Sequence, residues 1–285
     1  MINPFSIVIP AKNESAALKN FLPTLTKRYP DAEIIVINDG STDNTKEICL
    51  ENGVNVISHP YSKGNGASIK TGARAATSKI IVFMDGDGQH NPEDIDRLLA
   101  GIENGNDMVI GARQGLKSQA NIFRGGANTF YNKLATLITG HRIKDLTSGF
   151  RAVRADKFRE FLHLLPNGFS YPTTSTMAFF RAGYSVSYIP IVVNKRVGES
   201  HLHLLKDGVR FLLIIFKIGT LYSPLKVFFP ISLIFFGLAS AHYGHSYITQ
   251  DRFTNMSALL YVTSVLIFMM GLISEQITTL MYSKK

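Results

Sequence analysis

The residues best suited to chemistry are Asp85-Gly86-Asp87-Gly88-Gln89, which follow an apolar run at residues 80–84. Two carboxylates one residue apart can offer oxygens to one hard divalent cation, and that cation can bridge the oxygens of a phosphorylated ligand. The glycines between them let the backbone approach such a ligand closely. Asn13 and Glu14 follow one earlier apolar run and Asp39 follows another. Carboxylates behind three separate runs point to one shared site rather than three unrelated turns. Cys49 is the only cysteine, which excludes a disulfide framework and a cysteine-ligated zinc.

Five short apolar, β-branched runs would carry these residues: 5–9 (closed by Pro10), 33–37, 54–57, 79–84 and 107–110. Between them 15–29, 44–52, 66–76 and 92–104 have helical patterns. Alternating strands and helices imply an α/β fold with a doubly wound, mainly parallel sheet. Such sheets hold their ligands beyond the carboxyl ends of the strands, where the polar residues above would lie.

Beyond residue 200 the composition changes. Residues 227–247 are apolar apart from two histidines and a few hydroxyls, and 257–274 carry no charge. Each stretch approaches the ~20 residues that cross a ~30 Å hydrocarbon layer. Between them residues 248–256 read as a polar loop containing Asp251 and Arg252, whereas Lys217, Lys226, Lys284 and Lys285 flank the outer ends. The positive-inside tendency then places both ends in the cytoplasm. Residues 202–222 mix LLIIF with Lys206, Asp207, Arg210 and Lys217, which suits an amphipathic helix lying in the interface better than a third span. The start of the chain lacks the pattern of a signal peptide. These boundaries predict a cytoplasmic catalytic domain at 1–200, a juxtamembrane segment at 201–224 and a transmembrane hairpin at 225–285.

The chain has 285 residues, 45% apolar and 18% charged, with 30 Lys and Arg against 21 Asp and Glu. The net charge of +9 admits nucleic acid, anionic membrane or a phosphorylated substrate as partner. Its location narrows the choice. Residues 113–160 hold ten basic residues against three acidic ones, and 195–226 hold six against two. Such a surplus beside membrane spans suits anionic lipid or a lipid phosphate. Nucleic acid is disfavoured, because no recognition-helix, RNP or zinc-finger pattern occurs. Cys49 reads as a small side chain without chemistry, and His242 and His245 as membrane-interface histidines rather than a metal site.

Six motifs run along the chain: V-I-P-A-K-N-E at 8–14, N-D-G-S-T-D at 38–43, D-G-D-G-Q-H at 85–90, G-A-R at 111–113, D-L-T-S-G-F-R at 145–151 and R-V-G-E-S at 196–200. In this order they resemble the inverting glycosyltransferases of family 2, with the GT-A fold, and among them the polyprenyl-phosphate (dolichol-phosphate mannose synthase-like) branch. The resemblance implies metal-dependent transfer of a hexose-type sugar from a nucleotide-diphospho-sugar to a membrane polyprenyl phosphate, with a UDP-sugar favoured over GDP-mannose. It implies Mg²⁺ or Mn²⁺ as cofactor, held by Asp87, Gln89 and Asp85. Pro10, Ala11, Glu14, Asp39, Lys63, Gly64, Asp85 and Arg113 would bind the donor, with Glu14 on the ribose and Asp39 on the base. Arg113, Arg124, Asn128, Ser148 and Arg196 would bind the acceptor phosphate. Asp87 and Asp145 would be catalytic, Asp145 close to the acceptor, with Gly149 and Arg151 in the same motif. Membrane lipid and further copies of the chain complete the implied partners.

The sequence departs from the family in places. The usual paired aspartates are Asn38-Asp39, Asn128 stands where a small hydroxyl residue is found, and His201 follows Ser200 in place of Lys. The chain has no Trp, which excludes the Q-x-x-R-W motif of processive polysaccharide synthases. Two other readings compete: a family 2 transferase acting on a saccharide or lipid hydroxyl, which would need a general base, and a non-catalytic membrane scaffold that binds nucleotide sugar.

Overall fold

Continuous β-branched runs favour strands buried on both faces, and a computed structural model of the chain shows four of the five runs so, the exception being the partly exposed strand at residues 55–58. It describes residues 4–113, 122–168, 170–193, 216 and 219–283. The elements are β1 (Phe5–Ala11), α1 (Ser15–Arg28), β2 (Glu33–Asn38), α2 (Thr45–Glu51), β3 (Asn55–Ser58), α3 (Asn65–Ala75), β4 (Ile80–Phe83) and α4 (Asp94–Glu103). They continue with β5 (Met108–Arg113), α5 (Ile122–Thr139), β6 (Arg151–Arg154), α6 (Ala155–Arg159), α7 (Tyr171–Arg181), β7 (Val186–Ile191), α8 (Pro224–Gln250) and α9 (Asn255–Ser283). By contacts the chain forms two compact units, Met1–Lys133 with His141–Leu202, and Leu134–Gly140 with His203–Lys285.

The first unit carries a seven-stranded sheet in the order β3-β2-β1-β4-β6-β5-β7. Ile7, Val8, Ile9, Ile35, Val36 and Ile37 have no exposed surface. Helix α4 buries Ile95, Leu98, Leu99 and Ile102 along one stripe, the i, i+3, i+4, i+7 spacing of an amphipathic helix. All pairings are parallel except those of β6, which runs antiparallel to β4 and β5. That reversal has a functional consequence. The carboxyl ends of β1, β2, β4 and β5 share one edge of the sheet, and the residues entering β6 reach the same edge, with Arg151 paired to Phe83 and Ile110.

The doubly wound, mainly parallel sheet expected from the sequence is present, with local corrections. Strand β1 does not stop before Pro10 but continues to Ala11, with Pro10 opposite Ile37. The missing Pro N–H costs no ladder bond, because β4 pairs with β1 only as far as Val8. Strand β5 continues through Gly111 to Arg113, paired to β7 throughout. Strands β6 and β7 and helices α5 to α7 were not expected. Their segments carry Arg, Ser, Thr and Tyr among the apolar residues, which blurs the periodicity.

In the second unit, α8 and α9 are two helices long and apolar enough to cross a membrane, Pro224–Gln250 with mean hydropathy 1.7 and Asn255–Met281 with 2.2. They take in the expected spans and reduce the expected polar loop to residues 251–254, where Asp251 takes a left-handed conformation (φ 48°). Hydroxyls face inward between the helices. Ser232 Oγ donates to the Ser264 carbonyl at 3.0 Å and Ser264 Oγ to the Ser232 carbonyl at 2.9 Å. Ser240 and Tyr261 bond at 3.0 Å, as do His242 Nδ1 and Ser257 Oγ at 2.9 Å. Such bonds fix helix register where lipid offers no polar alternative. Outward, Leu233, Ile234, Val262 and Leu266 are each more than half exposed, an apolar surface that suits lipid rather than water. The amphipathic segment expected at 202–222 lies mostly outside the described residues.

Candidate functional site

The site grows from the strand ends. Asp85 stands just beyond β4, where its Oδ2 accepts a hydrogen bond from His90 Nε2 at 3.2 Å. Its other oxygen accepts none among the described residues, and the carboxylate is 36% exposed. Burial pushes this carboxyl upward, but the bond and charge of His90 and the charges of Arg113 and Arg151 outweigh it, so it lies below the ordinary range. Two residues on, Asp87 Oδ1 accepts the Gln89 amide at 3.1 Å, closing a tight turn.

Arg113 at the end of β5 meets Asp145 on the loop that enters β6. The pairing is bidentate, Nε to Oδ2 at 2.8 Å and Nη2 to Oδ1 at 3.0 Å, and the Arg113 amide adds a third bond at 3.2 Å. Thr147 Oγ1 accepts from Arg113 Nη2 at 2.5 Å, and the Thr147 amide donates to Asp145 Oδ1 at 3.1 Å. Burial would raise the Asp145 carboxyl, yet the bonds and charge of Arg113 and the two amides hold it below the usual carboxylate range. Fork-to-fork pairing of this kind is both strong and orientation-specific.

Behind that loop sits Arg151, with no exposed surface. It donates to the Ser148 carbonyl at 2.5 Å, the Pro172 carbonyl at 3.1 Å, Ser175 Oγ at 2.9 Å and Thr176 Oγ1 at 3.0 Å. Tyr171 OH donates to the Gly149 carbonyl at 2.9 Å. The backbone of Ser148 and Gly149 is therefore pinned from behind and pressed toward Asp85. A Cβ on Gly149 would stand 2.9 Å from both Asp85 oxygens, so any larger residue would displace that carboxylate. Ser148 Oγ is buried without a partner among the described residues.

On the β1–β2 side, Asp39 is 4% exposed and fully engaged. It accepts from His59 Nδ1 at 2.7 Å and from the Lys63 amide, the Gly64 amide and Ser62 Oγ at 2.8 Å each. Its carboxylate thus shapes the loop before α3. Gly64 and Gly66 are required there by close packing: Gly64 has φ +100°, and a Cβ on it would stand 2.6 Å from the Asn167 carbonyl. The first turn of α3 is capped by carbonyls, Gly66 N to Gly168 O at 3.1 Å and Ala67 N to Asn167 O at 2.8 Å. Lys63 Nζ lies 5.8 Å from the Tyr61 ring centroid. Glu14 opens α1, its amide bonded to Thr45 Oγ1 at 3.2 Å, and Asn13 Oδ1 accepts the Thr42 amide at 2.8 Å.

Burial pushes the Asp39 carboxyl up, but its four donors more than offset this and hold it below the ordinary value. A lowered folded pKa stabilises fully above about pH 4, the unfolded value, and that contribution is lost as pH falls through the folded value. Thermal melts of Asp39→Asn between pH 3 and 6 are therefore expected to show a shallower acid-side decline than the unaltered chain. Parallel acid limbs would contradict this.

The fold gathers Asp85, Arg113, Asp145 and Ser148 around the β4–β6–β5 ends, and Pro10, Ala11, Asp39, Lys63 and Gly64 around β1, β2 and the start of α3. Arg124 and Asn128 belong to α5, their side chains outside the described residues; Arg196 lies outside them altogether. The sequence reading gave no role to His59, Ser62, Thr147 or Tyr171, which position the others. Nor did it give one to His90, although D-G-D-G-Q-H ends on it.

The donor set fits a hard divalent cation. Asp85 and Asp87 offer only oxygen, and Asp85 keeps one oxygen clear of hydrogen bonds. No cluster of three or more His, Cys, Asp or Glu side chains suited to a metal occurs among the described residues. A cation here would therefore be completed by ligand phosphates and water, as Mg²⁺ commonly is.

The site is thus a D-x-D turn at the edge of a mainly parallel α/β sheet with an inserted antiparallel strand. The sequence pattern of glycosyl transferase family 2 matches residues 6–162 and that of the GtrB C-terminal hairpin residues 223–280; the chain belongs to glycosyltransferase family 2. An uncharacterized protein of Methanocaldococcus jannaschii is 36% identical over 154 residues, covering 51% of this chain and 63% of that one, slightly under two thirds of its length. The undecaprenyl-phosphate mannosyltransferase of Micrococcus luteus is 28% identical over 212 residues, covering 68% of this chain and 86% of its own. The dolichol-phosphate mannosyltransferase of Pyrococcus furiosus is 32% identical over 183 residues, covering 58% and 49%. The fold is shared with glucosyl-3-phosphoglycerate synthase from Mycobacterium tuberculosis, solved with Mn²⁺, UDP and phosphoglyceric acid, at TM-score 0.62 and 20% identity over 76% of this chain and 78% of that one.

Proposed function

We propose that the chain transfers a hexose-type sugar, with inversion, from a nucleotide-diphospho-sugar to a polyprenyl phosphate at the cytoplasmic face of a membrane. The observation that carries this reading is the state of Asp145. Paired bidentately to Arg113 and held below the usual carboxylate range, it is a poor proton acceptor near neutral pH. A sugar or lipid hydroxyl needs such an acceptor. A phosphate monoester has a second pKa of about 6 and arrives already anionic. The named relatives from Micrococcus luteus and Pyrococcus furiosus act on lipid phosphates by their names, and the apolar hairpin supplies a place beside such a lipid.

In this reading Asp87, Gln89 and Asp85 would hold Mg²⁺ or Mn²⁺, and the cation, when bound, would supply charge neutralisation for the leaving diphosphate. Pro10, Ala11, Glu14, Asp39, Lys63 and Gly64 form the nucleoside side of the site, with Asp39 acting through the loop it shapes. Asp145 aims the Arg113 guanidinium at phosphate oxygens, and Ser148, Arg124, Asn128 and Arg196 complete the acceptor end. Attack from the face opposite the leaving group proceeds through an oxocarbenium-like state. The lysines flanking the hairpin keep both of its ends, and the catalytic unit, on the cytoplasmic side.

The test incubates the purified full chain and Mn²⁺ with labelled nucleotide sugars and polyprenyl phosphate, following label into the organic phase. Transfer to the lipid is expected, and Asp145→Asn, which keeps the shape of the carboxylate, is expected to lose no more than about tenfold in kcat. A loss near 10⁴-fold would favour a hydroxyl acceptor with Asp145 as its base. No transfer from any donor would favour a binding scaffold.

A further inference from the structure

We propose that His90 is a positioning residue: stacked on Phe150 and bonded to Asp85, it sets where the Asp85 carboxylate stands to receive the donor diphosphate and its cation. The inference rests on the donor-site reading above and assigns a role to a residue that reading leaves unused.

Three observations converge on it. His90 is 7% exposed, and its ring lies almost parallel to that of the fully buried Phe150, with centroids 4.7 Å apart and planes 12° apart. Its Nε2 is 3.2 Å from Asp85 Oδ2. Its Nδ1 is buried without a partner among the described residues. An ionised carboxylate only accepts, so Nε2 is the donor of this bond. Among the described residues this is the one hydrogen bond of the ring.

Asp85 also meets Gly149, whose position Arg151 and Tyr171 fix through the Ser148 and Gly149 carbonyls. Phe150 is tied to β5 through its own carbonyl, which accepts the Gly111 amide at 2.9 Å. Asp85 is therefore bonded by His90, whose ring rests on Phe150, and packed against Gly149, and both of those supports belong to the turn entering β6. Oδ1 is left without a hydrogen bond among the described residues. Side chains that orient a carboxylate in this way commonly change metal affinity by 10–100-fold when removed.

Three substitutions separate this role from simple packing. His90→Phe keeps an aromatic ring against Phe150 but removes the donor. His90→Gln places an amide nitrogen near the Nε2 position, whereas His90→Asn places it too short to reach. Calorimetry of UDP and of GDP, each with Mn²⁺, gives affinity, and thermal melts give stability. His90→Phe is expected to weaken Mn²⁺-dependent binding about tenfold or more while melting within a few degrees of the unaltered chain; His90→Gln should recover most of the loss and His90→Asn little. Should His90→Phe melt early, Gly149→Ala, which crowds Asp85 from the other side, is expected to weaken binding to the same degree. Unchanged binding in His90→Phe, or equal binding by the Gln and Asn variants, overturns the role of His90 alone. If the unaltered chain binds neither nucleotide with Mn²⁺, the donor-site reading falls and this inference with it.

Discussion

Asp87→Ala is expected to abolish sugar transfer, by about 10³-fold or more, while the chain still folds and enters the membrane. The size follows from what the carboxylate does in the proposed site. A cation held there would contribute several kcal/mol to stabilising the charge that develops as the sugar departs, and each 1.36 kcal/mol is tenfold in rate. Fold should survive because Asp87 is only partly buried, on a turn beyond β4, while the strands themselves are packed by Ile81, Val82 and Phe83. The informative comparison is kcat for transfer against melting temperature and membrane partition of the same preparation. Transfer close to that of the unaltered enzyme would remove Asp87 from the cation site; loss of both activity and folding would make it structural.

Arg113→Ala is expected to be the most damaging change at the acceptor end, and it acts on stability as well as on activity. Removing the guanidinium strands the Asp145 carboxylate, whose side chain is 9% exposed, without its bidentate partner. Breaking a buried pair from one side costs about 3 kcal/mol, because the remaining charge is left desolvated. The Asp145 carboxyl, now held down only by the amides of residues 113 and 147 and the Thr147 hydroxyl, would titrate higher, so the loss of stability should shrink as pH falls and the group becomes neutral. Activity is expected to fall about 10²-fold, with Arg113→Lys recovering little, since an ammonium cannot reproduce the two parallel bonds. Melts across pH 4 to 8 combined with kcat and lipid KM check both halves. An unchanged melting temperature would show that the pair contributes nothing to folding.

The same pair separates what was legible in the sequence from what was not. The apolar runs ending in Asn38-Asp39 and Asp85-Gly86-Asp87 were readable as strand ends, because a strand buried on both faces leaves a continuous β-branched signature. The hairpin was readable because about twenty uncharged residues have few other uses. Strand β6 was not. It is only four residues long, begins with the fully buried Arg151, and owes its place to partners more than sixty residues away in β4. No local periodicity encodes that.

The roles within the site divide in the same way. By itself the sequence determined the class of chemistry, the D-x-D turn at a strand end and the apolar anchor, since these depend on residue type and short-range order. Tertiary structure decided which carboxylates are available. Asp39 is consumed by the loop before α3, Asp145 is locked to Arg113, and Asp85 keeps one oxygen clear between His90 and Gly149. Residue type says that a carboxylate can bind a cation, orient an arginine or hold a loop. Only the donors that the fold brings to each carboxylate, from the loop before α3 for Asp39, from the turn after β4 for Asp85 and from the end of β5 for Asp145, and the burial that makes those bonds count, select among the three.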